Sequence, residues 1–353
     1  MSYADGWAAL NLDMPSRVPR TEYSIESYHT PMLRLVSGLP LDENSPGELR
    51  HRASLIFRQR WHYDFCWSTL VSSQPFGNLH TRMGHAAYAE NSADLDRTVS
   101  CPFDDPEQVL AFDPAEVFGA VDIRAARDDF SRHYAGIRRE LPEEVATTGV
   151  YTTLVSGLID LFGWDMLLTA AGMDPEGFGD VADRYARWMQ GYMEALAESD
   201  AECVMIHDDI CWTGGPFIHP EWYRRYVFPN YKRYFAPILE SGKKLVYTSD
   251  GNYTAFVDDL ADCGVSAFVL EPFTDMKYIA EKYGRTHAFI GNADTRILLN
   301  GTREQIENEV RRCMDIGKAC PGFFMAVGNH IPANTPVESC LIYNDAYERM
   351  ARR

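Results

Sequence analysis

The chain has 353 residues, 46% of them hydrophobic, with 33 Lys and Arg against 51 Asp and Glu and a net charge of −18. This balance repels nucleic acid and anionic membrane surfaces and excludes both as partners; no apolar run approaches the roughly twenty residues of a membrane span. The eight cysteines contain no Cys-x-x-Cys pair and follow no secretory signal, so a soluble, cytoplasmic protein without a disulfide framework is expected.

In chain order, residues 1–20 lack clear periodicity, although Trp7, Leu10 and Leu12 could pack as a flap. Arg20 to Ile25 is the first strand candidate, followed by helical segments around Leu33, Leu35 and Val36 and from Leu49 to Trp61. The second strand candidate, His62 to Leu70, opens into a loop from Gln74 to His85. His80, Arg82 and His85 there are candidates for touching substrate, with simple solvation as the alternative. Residues 86–119 turn acidic, and Cys101-Pro-Phe-Asp-Asp-Pro-Glu and Phe112-Asp-Pro-Ala-Glu read as turns and helix starts, so this stretch is an insertion after the second strand. A helix from Ile123 to Arg139 leads to a third strand within Glu144 to Leu154, with Tyr151 near its exit. In the segment Phe178 to Ser199, the spacing of Val181, Tyr185, Met189, Met193 and Leu196 predicts a helix with one buried face. The same reading covers Ile306, Val310, Cys313 and Met314, in a helix opened by a Thr302/Gln305 capping box.

Five short apolar runs then end in polar clusters. Cys203-Val-Met-Ile runs into His207-Asp208-Asp209, Leu245-Val-Tyr into Ser249-Asp250-Gly251-Asn252, Ala267-Phe-Val-Leu into Glu271-Pro272, His287-Ala-Phe-Ile into Gly291-Asn292-Ala293-Asp294, and Phe323-Phe-Met-Ala-Val into Gly328-Asn329-His330. Such runs, flanked by Gly and Pro and separated by helix-length segments, are strands of a parallel sheet buried on both faces. Strand starts near residues 20, 62, 144, 203, 244, 267, 287 and 323 alternate with helical material. They predict an α/β fold, a (β/α)₈ TIM barrel in one domain over residues 1–353, with its site where the carboxyl ends of the strands converge. A second capping box, Thr335-Pro336 with Glu338, is expected to pin the His330 loop against the last helix. No G-x-G-x-x-G or G-x-x-x-x-G-K-[ST] supports a nucleotide cofactor.

The mouth so defined offers oxygen and imidazole: Asp208, Asp209, Asp250, Glu271, Asn292, Asp294, Asn329 and His330. His330, Asp250, Glu271 and Asp209 are the catalytic candidates, and Asn292, Asn329 and Asp294 the candidates for facing a cofactor. The set suits protonation or Lewis-acid activation of an oxygen leaving group, and His330 with Glu271 or Asp250 could hold Zn²⁺. Asp250, Asn252 and Asp294 fit helix caps and turns equally well, and Glu271 a structural strand end. Alternation along the strand lets either His207 with Asp209, or Asp208 alone, face the axis. Helix N-termini near His330 are expected to keep its ring neutral. Trp61, Trp67 and Phe217 are further aromatics, and Tyr151, Trp212, Tyr247 and Phe273 are the candidate substrate contacts, against the alternative of core packing.

Gly214-Gly-Pro-Phe-Ile-His-Pro-Glu-Trp-Tyr-Arg-Arg-Tyr-Val-Phe-Pro, Tyr247-Thr-Ser-Asp-Gly-Asn, Gly291-Asn-Ala-Asp-Thr with Leu298-Leu-Asn-Gly-Thr, and Gly328-Asn-His-Ile-Pro with Thr335-Pro-Val-Glu resemble the uroporphyrinogen decarboxylase superfamily, from about Gly149 to the C-terminus. The resemblance implies the barrel and one of two chemistries. Its decarboxylases carry an Arg-Gln-Ala-Gly-Arg-Tyr segment for the carboxylates of a tetrapyrrole, where this chain has Arg17-Val-Pro-Arg20-Thr-Glu-Tyr. Its thiol-directed methyltransferases hold Zn²⁺ through His-x-Cys and a distant Cys, where this chain has Tyr247, Ser249 and Asn329. The expectation is therefore a corrinoid-dependent methyltransferase that takes a methyl group from a small methylated donor, a methyl ether, to the cob(I)alamin of a partner corrinoid protein. This chain has no Asp-x-His-x-x-Gly corrinoid motif of its own. The alternatives are a decarboxylase of a small acid or of uroporphyrinogen, and a non-catalytic ligand-binding protein on an inherited barrel.

Overall fold

The computed structural model describes residues 2–23, 25, 29–81, 87–89, 92–94 and 101–353; Arg82 and His85 lie outside the described residues. Six strands form one parallel sheet: β1 (Thr148–Val150), β2 (Cys203–His207), β3 (Lys244–Thr248), β4 (Ala267–Val269), β5 (Ala288–Ile290) and β6 (Phe323–Phe324), each paired with the next in chain order. Two extended segments join its edges. Arg20 bridges Met325, the Asp64 N–H donates to the Arg20 carbonyl at 2.8 Å, and Phe65 bridges Val145. The fold is the α/β, (β/α)₈-type TIM barrel that the eight alternations predict, with the short helices Pro106–Ala111 and Pro114–Phe118 in the insertion after the second extended segment.

Alternation divides the strand residues between two layers. Phe65, Val145, Cys203, Val246, Ala267, Ala288, Ile290 and Phe324 fill the barrel interior, while Val204, Ile206, Leu245, Tyr247, Phe268 and Phe289 face the helices. The helix Tyr3–Leu10 places Ala9 and Leu10 on the interior cluster with Trp7 and Leu12 beside them, so the flap closes the barrel end opposite the site. The stripe on the helix Pro175–Glu198 is fully buried at Val181, Tyr185, Met189, Met193 and Leu196. The Thr302/Gln305 capping box forms as expected.

Two sequence expectations need correction. The Thr335 capping box does not form: the last helix, Val337–Met350, starts one residue later with Pro336 as its uncapped N-cap, and the buried Thr335 hydroxyl finds no partner among the described residues. Proline has no N–H to offer a cap, and the shift puts Glu338 out of register. The helix Val155–Met173 is by length and composition apolar enough to span a membrane, contrary to the reading of the sequence. It is kinked at Gly163 (φ 67°) and 67% of its apolar window is buried against the protein, as in a core helix. The N-terminal arginines do not serve the mouth. Arg20 is fully buried against Glu22 and Asn344 and under Trp61, Tyr343 and Tyr347, and Arg17 pairs with Asp64.

Candidate functional site

The residues that follow the strands meet at one end of the barrel. Register pairs His207 with Thr248, so the turns after β2 and β3 lie side by side, and the Asp250 N–H donates to Asp209 Oδ1 at 2.8 Å. Glu271, two residues past β4, accepts from the Gly251 N–H at 2.7 Å through Oε2 and from Asn329 Nδ2 at 2.5 Å through Oε1. Asn329 Nδ2 also lies 3.5 Å from Asp250 Oδ1, and Asn329 Oδ1 accepts the His330 N–H at 2.7 Å. Four strand exits are thereby linked by hydrogen bonds.

His207 and Asp209 face the axis and Asp208 faces away, so alternation chooses the pair. Asp208 is completely buried behind β2, where it accepts from the Val155 and Ser156 N–H groups at 3.1 and 2.6 Å and from the Tyr231 hydroxyl at 2.5 Å. It thus satisfies the start of the helix Val155–Met173, which follows β1. The His207 ring lies flat on Tyr151 (centroids 3.8 Å apart, planes 7° apart), its Nδ1 is 3.0 Å from the Tyr151 carbonyl, and its Nε2 is 3.3 Å from Asp209 Oδ1.

Between these groups lies a cavity of about 40 Å³, room for a few water-sized groups, walled by Tyr23, Trp67, Tyr151, Val269 and Val327, with His207, Asp250, Asn329 and His330 on its polar side. No Lys or Arg is among its described lining residues. His330 meets Tyr23 edge-on at 4.6 Å.

Electrostatics follow from this crowding. Burial opposes charge on His207, but Asp209 and then Asp250 outweigh it and raise the imidazole to about 9. The Asp250 carboxyl, set among packed neighbours although solvent still reaches it, is pushed well above its ordinary value by lost hydration and then by Asp209 and Glu271. Glu271 is raised by burial against the opposing hydrogen bonds from Asn329 and Gly251. His330 is lowered to about 4 by burial, not by the helix N-termini that the sequence suggested. Its ring is neutral across the physiological range.

That shift has a measurable sign. An unfolded histidine takes up its proton near pH 6.5, whereas folded His330 does so near 4, so stability falls as the pH drops through this window. The His330 ring should titrate near pH 4 by NMR, and His330→Gln should flatten the decline of the melting temperature between pH 6.5 and 4; a ring titrating near 6.5 would contradict the burial argument.

Other expected site residues lie elsewhere. Asn292 is buried, donates to the Glu271 and Thr274 carbonyls and accepts from Arg312, so it frames the β5 exit. Asp294 caps the helix Thr295–Asn300 and pairs with Arg296 at 2.6 Å; burial disfavours its charge, but Arg296 holds the carboxyl below its ordinary value. Tyr247 sits in the helix-facing layer and donates to the Asp208 carbonyl at 2.9 Å, because Thr248 takes the inward position. Trp212 is 48% exposed on the hairpin Cys211–Trp212/Gly215–Pro216, against Trp164 and Phe217. Phe273 packs under the Arg296 guanidinium. Of the four candidate aromatics only Tyr151 lines the cavity. Tyr23 was missed as a lining residue, although its place within the first strand candidate, on the same side as Thr21 by alternation, was a usable signal.

A metal fits the expected ligands poorly. Both Glu271 oxygens already accept hydrogen bonds, and no group of three His, Cys, Asp or Glu donors among the described residues joins Glu271 to His330. Nor do the positions of a thiolate-type zinc centre fit: Tyr247 faces away, the Ser249 hydroxyl is engaged by the Asp250 carbonyl and the Ile210 N–H, and the Asn329 amide is bound to Glu271.

Comparison with known proteins agrees with this architecture. A methyltransferase from Methanosarcina mazei superposes with a TM-score of 0.63 at 18% identity, covering 97% of this chain and 96% of the other. Curated relatives named uroporphyrinogen decarboxylase include one from Syntrophotalea carbinolica, 28% identical over 178 residues (50% of each chain), and one from Carboxydothermus hydrogenoformans, 24% identical over 209 residues (58% of each). The chain spans about half the length of the curated relatives it matches. The family model for uroporphyrinogen decarboxylase (URO-D) matches residues 130–350, the stretch that supplies β1 to β6 and all the polar groups joined at their exits, and the chain belongs to that family.

Proposed function

We propose that the protein moves a methyl group from a small methylated oxygen compound, a methyl ether, to the cob(I)alamin of a separate corrinoid protein. The observation that carries this reading is the cavity: small, aromatic-walled and without Lys or Arg among its described lining residues. A tetrapyrrole bearing many carboxylates exceeds it in size and would bring buried negative charge toward Asp209, Asp250 and Glu271 at a cost of several kcal/mol per unpaired ion. A neutral methyl ether meets neither obstacle. The fold shared with the Methanosarcina mazei methyltransferase is compatible with this activity.

The partner's corrinoid would supply the nucleophile that accepts the methyl carbon. As the carbon–oxygen bond breaks, its electron pair stays on the oxygen, and this chain must orient the donor and meet the developing charge. Tyr151 and Trp67 offer flat walls for the donor. The neutral His330 ring can donate a hydrogen bond to the departing oxygen without the cost of a buried charge, and the alkoxide takes its proton from water to leave as the alcohol.

The test is methyl transfer to cob(I)alamin on a corrinoid protein from a panel of methyl ethers, followed by loss of the cob(I)alamin absorption. Turnover with an ether is expected, and methylation of coenzyme M or homocysteine is not, because the thiolate-type centre is missing. Robust thiol methylation would overturn the reading, as would release of CO₂ from a carboxylic acid, which is the reaction in the name of the curated relatives. Tight ligand binding without turnover would mark a binding protein.

A further inference from the structure

The deepest polar corner of the mouth has a geometry that the methyl-transfer reading does not need. His207, Asp209 and Asp250 each bring one ligand atom to within 4.8 Å of the others. His207 is 4% exposed and doubly constrained, by the Tyr151 ring beneath it and by the Tyr151 carbonyl at Nδ1, so its Nε2 can point only at the carboxylates. A histidine that gives one ring nitrogen to a backbone carbonyl and aims the other at anionic oxygens has the orientation of a metal ligand with its supporting hydrogen bond in place. Asp209 is steadied in turn by the Asp250 N–H, and Glu271 stands behind as a third carboxylate. No Lys or Arg is among the described lining residues, and the cationic partner of these carboxylates is the His207 ring itself, whose proton at Nε2 a metal ion would replace.

We propose that His207, Asp209 and Asp250 form a binding site for one divalent transition-metal ion, with Zn²⁺ preferred over Mg²⁺ and Ca²⁺. One imidazole and two carboxylates make a borderline-hard donor set, and the imidazole is what selects a transition ion over the alkaline-earth ions. Ligand atoms each about 2.1 Å from an ion stand roughly 3–4 Å apart, so modest side-chain rotations close the trio. Three protein ligands also leave coordination positions open toward the cavity, unlike a closed structural site. The site uses other residues and harder donors than the Tyr247/Ser249/Asn329 positions of a thiolate centre, although it lies beside them: Asp250 follows Ser249, and its Oδ1 is 3.5 Å from Asn329 Nδ2.

The site stands independently of the proposed reaction, and its test requires neither methyl donor nor corrinoid protein. Protein purified without a metal-affinity tag is stripped with EDTA and titrated with Zn²⁺ by calorimetry, with bound metal counted by elemental analysis. One Zn²⁺ per chain is expected, with much weaker Mg²⁺ and Ca²⁺ binding. His207→Ala and Asp250→Asn should each weaken Zn²⁺ by about 100-fold or more, since even supporting residues of metal sites cost 10–100-fold. Asp209→Asn replaces either variant that fails to fold, judged by metal-free melting. Asp294→Asn, a carboxylate of the same rim outside the trio, should leave the affinity unchanged. The proposal is overturned by absence of saturable Zn²⁺ binding up to millimolar concentration, or by affinity that survives these ligand substitutions.

Discussion

If the proposed reaction holds, His330→Ala should lower methyl transfer by roughly 10²–10³-fold, the usual loss on deleting one pre-organised donor to a developing oxyanion, while the protein still melts cooperatively near the wild-type temperature. The expectation rests on placement and protonation together. The ring lies on the polar side of the cavity, edge-on to Tyr23, with its backbone N–H held by Asn329. Because burial brings its pKa to about 4, the ring interacts with the leaving oxygen as a neutral group, so the rate attributable to it should be level from pH 5 to 8 rather than bell-shaped. Activity within a few-fold of wild type in a well-folded His330→Ala protein would remove His330 from the mechanism. A rate falling steeply above pH 6.5 would instead show that a charged imidazolium acts.

The largest expected effect on stability is at Arg20. Its guanidinium is completely buried, donates to Glu22 Oε1 at 3.2 and 3.1 Å and to Asn344, and stacks under three aromatic rings. Glu22 also accepts from the Tyr343 hydroxyl and, through Oε2, from the Val327 N–H at 3.0 Å. Arg20→Met strands a buried carboxylate and should cost about 3–5 kcal/mol, whereas Arg20→Met with Glu22→Gln should recover part of that loss. Burial already raises Glu22 even with its partner present. A carboxyl whose folded pKa lies above the unfolded value stabilises the fold less as pH rises, so the Arg20→Met deficit should shrink in acid and grow toward neutrality. Urea unfolding at two pH values measures both effects; a single-variant loss below about 1 kcal/mol would show that the pair is not needed.

The barrel was legible because its evidence is periodic and repeated. Five short runs with polar exits name strands and the end at which they open, three earlier strand candidates complete the eight alternations, and the spacing of Val181, Tyr185, Met189 and Met193 names a buried helix face. Within the site, alternation correctly grouped His207 with Asp209. Applied with the same strictness to β3, it would have turned Tyr247 toward the helices and Thr248 into the cavity. What could not be read was which polar side chains spend themselves locally. Asn292 stands at a strand exit as Glu271 does, yet Arg312 claims it from a helix whose approach depends on packing, while Asp294 takes the cap that the sequence offered as its alternative and pairs with Arg296 two residues on. The role of Asp208 was likewise hidden until the helix Val155–Met173, which follows β1 rather than β2, was seen to need its oxygens. The cause of the low His330 pKa was also beyond sequence, since burial is a property of the assembled mouth.

The hydrogen bonds that link the strand exits, with that from His207 to the Tyr151 carbonyl after β1, carry a consequence for how the site is gained and lost. The partners in them are far apart along the chain: 41 residues from Asp209 to Asp250, 20 from Gly251 to Glu271, 58 from Glu271 to Asn329 and 56 from Tyr151 to His207. No fragment of one or two βα units contains them all, so forming the site requires paying the entropy of several loop closures before any of its contacts is rewarded. The assembled mouth should therefore form late in folding, with the last pairing of the ring, and be lost with the first opening of it.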